Sequence, residues 1–162
     1  MNVQRSLAAG ALALMLLGSA GGLLHGLATG HETLLGLREH HEPAFTLAAQ
    51  GQRDVAAREL QQALQDNARY VRVIDTHTHV IKLASLAMLL AFLLPLLHLG
   101  GHGRNLVAAG FLCGAILFPC GVLLQVWVPG MLFQSVAALG ALLVIAAMGA
   151  TVLGTFRIKS GS

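Results

Sequence analysis

The sequence predicts an all-α membrane protein: a four-transmembrane-helix bundle with an extramembrane helical hairpin between helices 1 and 2. Three observations predict it. Of 162 residues, 56% are apolar and only 10% charged, and a mean hydropathy of +0.72 lies above the range of soluble domains of this size. Four segments, Leu7 to Ala28, Val80 to Leu97, Leu106 to Val128 and Met131 to Phe156, approach or exceed the roughly 20 apolar residues a helix needs to cross a bilayer. All seven acidic side chains, from Glu32 to Asp75, lie between the first two of these segments. The chain therefore divides into a first span (1–30), an extramembrane hairpin (31–75) and three further spans with a short tail (76–162).

The first span begins behind Arg5 and runs through "LAAGALALMLLG" to "GSAGG". Those features also describe a cleavable signal peptide ending near residue 21. Because the apolar character resumes at once in "GLLHGLATG", a retained anchor is the expectation. "HETLLGLREHHEP" continues with helical character as far as Pro43, which should break or kink it. "AFTLAAQ" predicts a further turn or two of helix, punctuated by Gly51. From Asp54, apolar Ala56, Leu60, Leu64, Ala68, Val71 and Ile74 recur every three or four residues among Arg, Glu and Gln, an amphipathic helix that can run through Thr76 into the second span.

"HLGGHGRN" joins spans two and three, and "VPG" joins three and four, so consecutive helices should be antiparallel neighbours. Ala146, Ala150 and Gly154 form a ridge of small residues on the fourth helix that allows close approach within the bundle or between copies. Cys113 and Cys120 are seven residues apart in the third span, about 10 Å along the axis, too far for a mutual disulfide in a regular helix.

Five arginines accompany the acidic residues of the hairpin, while Arg5, Arg104, Arg157 and Lys159 lie at the other membrane face. Arg5 and the "RIKSGS" tail favour cytoplasmic termini and an outward-facing hairpin, in a bacterial inner membrane. No basic stripe suited to nucleic acid is present. No nucleophile and base occur at a recognisable spacing, which argues against a soluble-type hydrolase or transferase.

Eight histidines are a surplus in so apolar a chain. His25, His31, His40, His41, His77 and His79 fall at the hairpin end of the membrane or in the hairpin, and His98 and His102 at the opposite face. His25 and His79 come to similar depth and can face each other. Lys82, Gln125, Gln134 and Ser135 fall near the same depth, and ionisable or amide groups inside a membrane usually face the bundle interior. One polar layer on the outer side is thus a candidate site. Neutral imidazole ligates Zn, Cu and haem iron. Haem b would take His25 with His79 or His77 as axial ligands, with Lys82 pairing a propionate. A Cu or Zn ion would draw on His25, His31, His77 and His79, with Asp75 as an orienting acceptor. The alternative stays open that these histidines are interfacial residues and helix caps, and that Lys82 snorkels to the headgroups.

The stretch "DTHTHVIKLASLAML" resembles the His-x-His helix start of small membrane proteins similar to part of the haem–copper oxidase core. The resemblance covers His77, His79 and the helix after them, and implies haem b ligation by His79 or His77. The chain has fewer helices than full oxidase cores and no copper-site cluster, so oxygen reduction by this chain alone is not implied. Three functions follow as expectations. The first is a haem- or metal-binding electron-transfer protein. The second is a non-catalytic accessory or assembly subunit whose hairpin docks on another membrane or periplasmic protein, or on a second copy. The third is a metal-ion carrier, weakened by the absence of acidic residues from every span.

Overall fold

The computed structural model describes residues 3–28, 43–128 and 130–156, and among these every regular element is helical. The expected hairpin segment 31–42, with His31, His40 and His41, and the tail after Phe156 lie outside the described residues. The elements are α1 (Val3–Ala28), a short helix seen over residues 43–49, α2 (Arg53–Leu93) closed by a 3₁₀ turn (Leu94–Leu96), α3 (Gly101–Trp127) and α4 (Met131–Phe156). All four labelled helices are long and apolar enough to cross a membrane. The protein is an integral membrane four-helix bundle.

α2 is a single helix of 41 residues, about 60 Å at 1.5 Å per residue. Roughly 20 residues suffice to cross the hydrocarbon, so its first half projects beyond the membrane as the amphipathic arm the apolar periodicity predicts. The chain enters it through a turn in which the Gly51 N–H donates to the Ala48 carbonyl and the Gln52 N–H to that of Leu47, at 3.1 and 2.9 Å. Gly51 holds φ at +77°, the left-handed conformation that costs a residue with a Cβ most and glycine least. No glycine or proline interrupts α2 between Arg53 and Leu93. The hydroxyls it carries into the membrane, Thr76, Thr78 and Ser85, each donate to the carbonyl four residues back, at 2.7, 2.9 and 2.9 Å. They therefore bring no unpaired polar group into the bilayer.

Consecutive helices are neighbours, as the short connections require. The connection between α2 and α3 is shorter than the sequence suggests: helix resumes at Gly101, so His102 and Arg104 belong to the first turn of α3. Arg104 donates to the Leu97 carbonyl at 3.0 Å and the His98 N–H to that of Gly154 at 3.2 Å. The core is built at this end, where Leu7 and Ala11 of α1, Leu90 near the end of α2, Leu94 of the 3₁₀ turn, and Phe111 and Ala115 of α3 are buried together.

The closest helix contact lies elsewhere than the predicted ridge. A Cβ on Gly114 would stand 2.6 Å from the Gly140 carbonyl oxygen, one on Gly121 2.5 Å from the Ala137 amide nitrogen, and one on Gly140 against the backbone of Phe118. Glycines on both α3 and α4 thus let backbone meet backbone, which in lipid replaces the missing hydrophobic drive with dispersion contact. Of the ridge itself, Gly154 packs on Leu99 while Ala146 is exposed.

Candidate functional site: a lateral groove between three helices

The antiparallel register of α1 and α2 is fixed by glycine. A Cβ on Gly18 would meet Val80 and Ile81, each at 3.0 Å, and one on Gly22 would meet the His77 ring, 2.9 Å from Cδ2. Without a side chain on either glycine, α2 lies close against α1, and the imidazole of His77 fits against the α1 backbone. Toward its own start α1 reaches α3, where Gly10 packs on Leu112. Toward the hairpin end the two helices part and leave a groove floored by α2.

The groove has a volume of about 430 Å³, within the range that holds cofactors and drug-sized ligands. Leu14, Leu17, Gly18 and Gly21 line it from α1, Val73, Thr76, His77 and Val80 from α2, and Ala115, Ile116, Pro119, Cys120 and Leu123 from α3. Its walls are almost wholly apolar. The Thr76 hydroxyl is committed to the Arg72 carbonyl. The His77 Nδ1 lies 3.2 Å from the Val73 carbonyl oxygen. A carbonyl only accepts, so Nδ1 is the donor in this bond, which in the neutral ring makes Nε2 the nitrogen with the lone pair. That is how a ligating imidazole is oriented by a partner behind it. Pro119, which has no N–H, also denies the Ala115 carbonyl its helical donor on the groove's α3 wall.

The structure distributes the other expected site residues among different surroundings. His79 turns to α3, where its ring meets Phe118 edge-on with centroids 4.9 Å apart. Residues two apart on a helix do not share a face, so His77 and His79 serve different neighbours. His25 is paired with Tyr70 instead, ring centroids 6.1 Å apart. With Gly22 opposite His77 and Gly18 opposite Val80, His79 is level with about residue 20 of α1, roughly 7 Å along the axis from His25. The two are not brought face to face. Lys82 is exposed and absent from the groove lining.

The expected polar layer does not converge either. Gln134 and Ser135 are exposed, the Ser135 hydroxyl donates to Met131, and the Gln125 amide donates to the Gly121 carbonyl. Cys113 and Cys120 are both free and exposed. Among the described residues no three His, Cys, Asp or Glu side chains gather to hold a metal ion. His31 lies outside them.

No family model, curated protein or solved structure matches this chain.

Sequence reasoning missed the groove because it weighed histidines by depth and not by direction. Its signals were present: Gly18, Gly21 and Gly22 on one stretch of α1, and Pro119 at matching depth in α3.

Proposed function

We propose that this protein holds a flat lipophilic cofactor, haem b, in the groove between α1, α2 and α3, with His77 as axial ligand, and serves as a non-catalytic redox subunit of its membrane. The observation that carries this reading is an imidazole with its Nδ1 proton anchored on Val73, lining an apolar groove within the membrane. A flat ring can lie against Gly21, where no side chain intervenes. A single imidazole suffices for this cofactor, whereas a bare Cu or Zn ion would need three or four donors. His77 is also one of the two histidines that the resemblance to haem-binding membrane proteins implies as ligand. His79 packs on Phe118 instead, outside the groove lining.

The test is the optical spectrum of detergent-purified protein, before and after haemin addition and after reduction with dithionite. A Soret band with sharp α and β bands is expected, and His77→Ala should weaken haemin binding by at least about tenfold while His79→Ala retains it. Protein that takes up no haemin, or His77→Ala protein that binds it normally, overturns the assignment.

A second reading is favoured by the arm of α2, where Leu60, Leu64 and Val71 remain exposed, Leu64 at 57%. They recur at helical spacing in a segment beyond the membrane and suit an accessory subunit that docks on a membrane or periplasmic partner. Leu60→Ser/Leu64→Ser should abolish co-purification of such a partner from mild detergent while leaving the bundle folded. Unchanged recovery of every co-purifying protein would refute it.

A further inference from the structure

A second recess, of about 360 Å³, lies where the α2 arm passes the end of α3. Arg69 and Arg72, three residues apart on α2, line it together with Gln125, Val126 and Trp127 of α3. The apolar run of α3 ends at Trp127, whose side chain is 76% exposed. An amphipathic ring there belongs to the level of the lipid headgroups.

The two arginines are placed differently. Arg72 donates one N–H to the Gln125 carbonyl at 3.4 Å, which steadies its guanidinium over the end of α3 and leaves further N–H groups to offer. Arg69 lies 3.9 Å from the Asp66 carboxylate, at the limit of an ion pair, with both side chains well exposed. Two cations against one carboxylate leave the recess net positive, while Val126 and Trp127 give it an apolar side.

From this juxtaposition we infer that the recess binds the headgroup of an anionic glycerophospholipid, its phosphodiester on Arg69 and Arg72 and its acyl chains beside Val126 and Trp127. Guanidinium suits phosphate oxygens bidentately. A choline or ethanolamine headgroup would bring its own cation against a second arginine, so a headgroup without a cation, such as phosphoglycerol, fits better. A free phosphate would leave the apolar side uncovered. This site is separate from the groove, and neither reading depends on the other.

Trp127 is the only tryptophan in the chain, so its fluorescence reports on this recess alone. Full-length protein is reconstituted into phosphatidylcholine bilayers containing a minor fraction of brominated phosphatidylglycerol or, separately, brominated phosphatidylcholine. Quenching should show an enrichment of phosphatidylglycerol of about fivefold, the equivalent of one net basic side chain at a membrane surface. The preference should vanish in Arg69→Gln/Arg72→Gln and persist in Arg53→Gln/Arg58→Gln, which removes the same charge farther out on the helix. Circular dichroism establishes that each variant is folded. Equal quenching by both lipids, equal loss in both double variants, or full reversal by soluble glycerol phosphate would each overturn the inference, the last by assigning the site to a free phosphate ester.

Discussion

Gly140→Ala is expected to destabilise the bundle by about 2–3 kcal/mol, the upper end of the usual cost of overpacking, although alanine is the better helix former by about 1 kcal/mol. The added methyl would fall on the backbone of Leu117 and Phe118, which cannot rotate aside as a side chain can. The helices must separate, and separation weakens the contacts at Gly114 and Gly121 as well, since all three glycines belong to one interface. Gly149 provides the control on the same helix. A Cβ there meets nothing within 4 Å, so Gly149→Ala should be neutral or stabilising by up to about 1 kcal/mol. Unfolding in mixtures of mild detergent and dodecyl sulfate, followed by circular dichroism, measures both. Opposite signs for the same chemical change are the expected result, and equal stability of the two variants would show that the close approach of α3 and α4 is not what holds them together.

Gly21→Phe is expected to lower haemin binding by more than about tenfold while leaving the fold intact. Gly21 lines the groove, yet a Cβ built on it finds open space. A benzyl group can therefore enter without displacing a neighbour and occupies the volume the cofactor would take. Unlike removal of His77, this substitution leaves the imidazole and its bond to Val73 in place, so it tests the cavity and not the ligand. Gly22→Ala is the contrasting case, because its methyl would press on the His77 ring at Cδ2, Cγ and Nε2. If Gly21→Phe binds haemin like the native protein, the cofactor lies elsewhere. If Gly21→Phe abolishes binding and His77→Ala does not, the groove is right and the ligand wrong.

The architecture was legible because hydropathy and helical periodicity are local properties. Runs of apolar residues gave all four spans, the Ala56 to Ile74 pattern gave the arm, and Gly51 marked the turn before it. The site was less legible because it depends on rotation about each helix axis, which the spacing of residues along one helix does not define relative to its neighbours. His77 and His79 read as one element in sequence, and the pitch of the helix sends one toward α1 and the other toward Phe118. Depth alone paired His25 with His79, whereas the glycines of α1 set the register and placed His25 beside Tyr70. The small-residue ridge shows the same dependence on the partner helix: Ala150 and Gly154 pack within the bundle, against the core and against Leu99, while Ala146 is exposed. Ala146, Ala150 and Gly154 obey the spacing, but the glycines that meet a facing backbone are Gly114, Gly121 and Gly140, and only the partner helix distinguishes them.

The unbroken run of α2 from Arg53 to Leu93 makes it a lever. With no glycine or proline to serve as a joint, a push on the exposed arm is carried to Thr76, His77 and Val80 as a tilt of the whole rod. A load on the outer half would then bear on the width of a cleft that it never touches.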